Sequence, residues 1–149
     1  MTLHPFSINS TLLAKHAQHV VLIHFPVALF ITSVAFDFLS RWMHRPALKT
    51  AAYLNLFVAA VSTIPVILTG LLAWQWQLEG QKLKGILRAH FLLALISTCL
   101  IWLVFWLHRR VRRQQKPVTP AYILLTESIG LVCLALTAHL GSFLSGVNM

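Results

Sequence analysis

The chain has 149 residues, a length suited to one domain, and 58% of them are hydrophobic while only 10% are charged. That composition excludes an ordinary soluble domain and points to a membrane protein. The formal net charge of +9 does not indicate nucleic acid, because the basic residues fall between apolar runs, where membrane topology accounts for them.

Met1 to Ser10 reads as a loose outer tail. It lacks the basic start and small-residue cleavage site of a secretory signal, so no processing is expected. Four apolar runs follow, at about 19–42, 51–74, 86–107 and 121–144. Each approaches or exceeds the ~20 residues a helix needs to cross about 30 Å of hydrocarbon. Backbone groups in lipid must satisfy one another, so the runs are read as helices. Short connections favour antiparallel neighbours. The expected fold is therefore all-α: one polytopic membrane domain over 1–149, an antiparallel four-transmembrane-helix bundle.

Direction follows from Lys and Arg. The first connection carries Arg41, Arg45 and Lys49, and the third carries Arg109, Arg110, Arg112, Arg113 and Lys116; the opposite side has Lys15, Lys82, Lys84 and Arg88. The larger group is expected to face the cytoplasm, which puts both termini outside. Trp42, Trp74, Trp76 and Trp106 fall near span ends, as interfacial anchors do. Pro26 and Pro65 each remove a backbone donor and are expected to kink their helices, with the stretch before Pro26 a separate, partly interfacial turn. Cys99 and Cys133 lie inside apolar runs and outside any CxxC, so zinc-site, thioredoxin-type and covalent c-type haem readings of them all fail on sequence; both thiols are expected to be buried and inert.

The polar residues inside the runs carry the functional argument. His24 and His90 lie near the outer starts of spans one and three, and His139 lies near the outer end of span four. His16 and His19 precede His24. An imidazole in a bilayer needs a partner, a wet cavity or a bound group, and three at one depth suggest a shared ligand. His44 and His108 sit among the arginines of the other side and are read as solvated. Asp37 is thirteen residues after His24 and Glu127 twelve before His139. At ~1.5 Å per residue both are displaced by roughly 18–20 Å toward the inner face, where they share a level. Two readings stand: interfacial acids paired with arginines, Asp37 with Arg41 one turn away, or a proton or cation site. Gly130, Cys133, Thr137 and Gly141 form a small-residue stripe on span four, read as a helix contact roughly opposite His139.

The segment His19-Val-Val-Leu-Ile-His24-Phe-Pro-Val-Ala-Leu-Phe resembles the opening motif HPxxVHFPIALF of the bacterial membrane family called domain of unknown function 2231. That motif is followed by an aspartate, which Asp37 matches. Thr69-Gly70 with Trp74, Arg88-Ala89-His90 and His139-Leu140-Gly141 extend the resemblance over nearly the whole chain. Val20 replaces the usual proline, and Ala73 the acidic residue expected before Trp74. The resemblance implies four spans in a bacterial inner membrane, with histidines at set places. Its relatives' association with c-type cytochrome modules implies a redox setting.

The leading functional expectation is b-type haem held by imidazoles, with electron transfer as the activity. The preferred ligand pair is His24 with His90; His139 and His19 form a second pair or support the first. Arg88 is a candidate for a propionate, and Phe25, Phe91 and Trp74 for porphyrin packing. A periplasmic redox protein and a second copy of the chain are candidate partners beside the lipid bilayer. One alternative is a metal-ion permease in which His24, His90 and His139 capture the ion and Asp37 and Glu127 receive it. Another is a structural subunit whose histidines hydrogen-bond between helices. No serine–base pair or dinucleotide glycine motif supports a hydrolase or nucleotide-binding enzyme.

Overall fold

A computed structural model describes residues 15–77, 80, 82–115 and 118–144, except for the side chains of residues 15–17, 76 and 77. The expected outer tail, His16, Trp76 and Lys116 therefore lie outside the described residues. Four helices follow in order: α1 (Lys15–Met43), α2 (Pro46–Gln77), α3 (Gly85–Arg113) and α4 (Ala121–Leu144). All four are long and apolar enough to cross a membrane, and they form an all-α four-helix membrane bundle.

The helix ends follow from local chemistry. His44 adopts a left-handed backbone (φ 52°) directly after α1, a common way to stop a helix. Pro46 opens α2, where its missing N–H costs nothing and its fixed φ suits the first turn. Gln115, also left-handed at φ 51°, ends the stretch after α3. Two expectations are corrected here. The helix containing Pro26 is continuous from Lys15 to Met43, so no separate turn precedes that proline. Cys99 is exposed and Cys133 only half-buried, because the outward face of a span belongs to no core.

The helices pack in a ring: α1 on α2, α2 on α3, α3 on α4 and α4 on α1, with α1 opposite α3. The α1–α2 and α3–α4 hairpins make the most extensive contacts. Inward residues recur at helical spacing: Pro26, Phe30, Ser33, Val34 and Asp37 on α1, Ser97, Ile101, Val104, His108 and Val111 on α3, and Ile123, Leu124, Glu127, Gly130 and Leu134 on α4. Phe30, Leu56, Ala59, Ala60, Ile101 and Val104 make the apolar centre. Small residues set the close approaches, as expected where lipid supplies no drive between helices. Ser33 donates across the first hairpin to the Ala52 carbonyl at 2.8 Å. At Gly130 a Cβ would sit 3.0 Å from Phe30 Cζ, so the glycine makes room for the buried phenyl ring.

Candidate functional site

The inward stripes of α1, α3 and α4 each end in an ionisable residue at the end of the bundle where the arginines gather. Asp37 lies two turns beyond Phe30, His108 two turns beyond Ile101, and Glu127 two turns before Leu134. The antiparallel arrangement brings all three together. His108 Nε2 is 2.9 Å from Glu127 Oε1, and Asp37 Oδ2 is 3.1 Å from the same nitrogen. The hydrogen bond runs to Glu127; Asp37 Oδ2 makes an ion-pair contact with the same nitrogen, and Glu127 Oε2 is buried without a hydrogen-bond partner among the described residues. Asp37 and Glu127 are both 0% exposed and His108 only 4%.

Thr119 completes the cluster from the turn before α4. Its Oγ1 donates to Asp37 Oδ1 at 3.1 Å, and its carbonyl accepts from Arg41 Nη1 at 2.9 Å. Pro120 follows directly and biases Thr119 toward extended backbone. The expected Asp37–Arg41 ion pair is therefore corrected: Arg41 clasps the turn backbone, and Asp37 faces inward to His108 and Thr119. His108, read from sequence as solvated, is also corrected. It continues the 97, 101, 104, 108, 111 spacing of α3's buried face, whereas Arg109, Arg110, Arg112 and Arg113 fall off that face and are exposed. That spacing was the available signal. His44 is exposed, as read.

A cleft of about 350 Å³ between the start of α2 and the end of α3 opens beside the cluster. His108 lines it, together with Lys49, Thr50, Tyr53 and Arg112, while neither acid does. The Arg112 guanidinium lies 4.8 Å over the Tyr53 ring. Of the three cluster side chains, His108 alone lines this cleft.

At the far end the histidines go separate ways. The His19 ring packs against Gly70, where a Cβ would sit 3.0 Å from its Cε1, and its Nδ1 is 3.3 Å from Thr69 Oγ1. His90 Nδ1 donates to the Thr137 carbonyl at 3.0 Å, and its Cε1 rests 3.1 Å from a Cβ placed on Gly141. The small-residue stripe of α4 is thus a helix contact, with Gly130 against Phe30 and Gly141 against His90. His24 is exposed, its Nδ1 donating to the Val20 carbonyl one turn back at 2.6 Å. His139 is exposed and packs edge-on against Phe143, at 5.0 Å between centroids. Phe25, Phe91 and Arg88 are also exposed, and Trp74 is half-buried.

Among the described residues, Asp37, His108 and Glu127 are the one grouping of three or more His, Cys, Asp or Glu side chains close enough to share an ion; their donor atoms lie within 4.8 Å of one another. Two of them were candidates from sequence, and His108 was not. No curated protein and no solved structure matches the chain. The family described as predicted membrane protein (DUF2231) matches residues 15–147, nearly the full length, and the chain belongs to that family.

Proposed function

We propose that this multi-pass membrane protein binds a cation inside its helical bundle at Asp37, His108 and Glu127 and passes it across the membrane. One observation carries the reading: two carboxylates and an imidazole from three helices touch in a buried site, and among the described residues the carboxylates have no partner for Glu127 Oε2 and only the imidazole for Asp37 Oδ2. Two carboxylates withdrawn from water repel one another and lose hydration worth several kcal/mol per ion by general estimates. A positive charge between them removes both penalties. Ionisable groups within membrane segments mark substrate and ion pathways and proton relays. The chain contains three acids in all, so placing two of them here is a concentrated use of negative charge.

The test is flux in vesicles containing the full chain, with a panel of monovalent and divalent cations and dyes trapped inside. The expected result is uptake of one cation class above protein-free vesicles, falling to that background in Asp37→Asn and Glu127→Gln. Uptake that ignores both substitutions, or never exceeds background for any cation, removes the reading.

A second reading, b-type haem serving electron transfer, has one observation in its favour. The Nδ1 atoms of His24 and His90 both donate to backbone carbonyls, which leaves each Nε2 as the lone-pair nitrogen of a neutral ring, as in histidines that ligate metals. Against it, His24 is exposed. Protein expressed with ample haem is expected to show a Soret band under this reading, abolished by His24→Ala or His90→Ala; a colourless preparation ends it.

A further inference from the structure

We infer that Asp37, His108 and Glu127 form a binding site for a divalent first-row transition ion of the zinc class, with Thr119 orienting the aspartate from behind. The inference rests on the reading of this cluster as a cation site and adds the identity and geometry of the guest.

Charge comes first. With a neutral imidazole the two carboxylates total two negative charges, which a divalent ion cancels and a monovalent ion leaves half uncompensated. Donor chemistry comes second. An imidazole nitrogen suits zinc, iron, copper or nickel, whereas magnesium and calcium favour oxygen. Calcium also takes 6–8 oxygen donors at about 2.3–2.6 Å, and this pocket offers three side chains. Three protein ligands with one position left open is the arrangement of non-structural zinc sites.

Distance comes third. Donors of a tetrahedral zinc with bonds of about 2.0–2.1 Å stand roughly 3.3 Å apart. The observed separations from His108 Nε2 are 2.9 Å to Glu127 Oε1 and 3.1 Å to Asp37 Oδ2. Opening each by a few tenths of an ångström admits the ion. As the metal takes the Nε2 lone pair, the proton that Nε2 now shares with Glu127 is released to water through the cleft that His108 lines, and the ring stays neutral with its remaining proton on Nδ1.

The surroundings fit the same guest. Among the described residues Glu127 Oε2 is a buried oxygen with no hydrogen-bond partner and Asp37 Oδ2 has only its 3.1 Å contact with His108 Nε2, on side chains that are 0% exposed. The other oxygen of Asp37 is held by Thr119 Oγ1 at 3.1 Å. A hydrogen bond to the outer oxygen of a ligating carboxylate fixes which lone pair faces the metal. Arg41 anchors Thr119 through its carbonyl, so the support comes from a clasped turn and not from a free side chain.

The full chain in detergent, stripped with a chelator, is titrated with Zn²⁺ by calorimetry, with Mg²⁺ and Ca²⁺ as comparators. One zinc per chain is expected, with no matching heat from the comparators. Thr119→Val is expected to weaken zinc by roughly 10–100-fold, and Asp37→Asn and Glu127→Gln by more. A His24→Ala/His139→Ala variant, which removes two exposed imidazoles, is expected to bind as the wild type does. Zinc affinity unchanged in both acid variants, or equal affinity for calcium, overturns the inference. X-ray absorption at the zinc edge of the wild type reads the donor set without any variant: one imidazole among oxygen donors supports the site, and several imidazoles or a thiolate sinks it. Zinc bound without flux removes transport and leaves this site standing; flux of another cation by a protein that does not bind zinc does the reverse.

Discussion

At the basic end of the bundle, ionisable side chains from three helices turn inward and touch; at the far end, imidazoles on three helices stay apart, His19 and His90 each bonded to a neighbouring helix, His24 to its own backbone and His139 exposed. Both ends are rich in residues that suggested function. The difference lies in helical phase. Asp37, His108 and Glu127 each sit on the buried stripe of their helix, in register with Phe30, Ile101 and Leu134. His24 and His139 sit off those stripes. Depth along the membrane normal is thus a weak guide to which residues meet, and rotation about each helix axis decides it.

The comparison is broken most severely by His108→Ala. It removes the one group between two buried carboxylates, and breaking such an arrangement costs about 3–5 kcal/mol. Reversible unfolding in mixed micelles is expected to record a loss of that size, while His90→Ala at the far end records a much smaller one. Equal losses at the two ends would contradict the division drawn here.

A smaller contrast separates two glycines of α4. Alanine in place of helical glycine gains about 0.5–1 kcal/mol from backbone entropy. At Gly130 the new methyl meets Phe30 Cζ at 3.0 Å in the apolar centre, and overpacking there costs about 1–3 kcal/mol. At Gly141 it meets a half-buried His90 ring at 3.1 Å, outside the apolar centre. Gly130→Ala is therefore expected to destabilise, and Gly141→Ala to be neutral or mildly stabilising, by thermal unfolding in one detergent.

Subtler still is Thr137→Val, which removes the 3.1 Å bond to Ser97; a side-chain hydrogen bond between membrane helices is worth about 0.6 kcal/mol. The least effect on stability is expected from His24→Ala, within about 0.5 kcal/mol, since its ring bonds only the backbone one turn back.

Much of the architecture was legible in the residues. Four long apolar runs are hard to read as anything but spans, and the fourth runs over 121–144 in both sequence and structure. Counting residues along antiparallel helices also put Asp37 and Glu127 on one level. What sequence reading lacked was the rotational setting of each helix. A uniformly apolar span has almost no polar face from which to infer rotation, so His24 and His139 read as inward although both are exposed. The arginine run around His108 concealed its place on the 101, 104, 108, 111 stripe. Arg41 was assigned to Asp37 by i,i+4 spacing alone, although a neighbouring turn offered a carbonyl.

The clasp between Arg41 and Thr119 has a bearing on biogenesis. Asp37 arrives with the first helical pair; His108 and Glu127 arrive with the second. In a newly inserted first pair Asp37 lacks His108, Glu127 and Thr119, leaving only Arg41, one turn away and itself without the Thr119 carbonyl, and an acid so poorly partnered is expensive in lipid. Docking of the later pair relieves it. The same acid that serves the finished protein would act, during synthesis, as the force that selects the right neighbour and rejects an orphaned half.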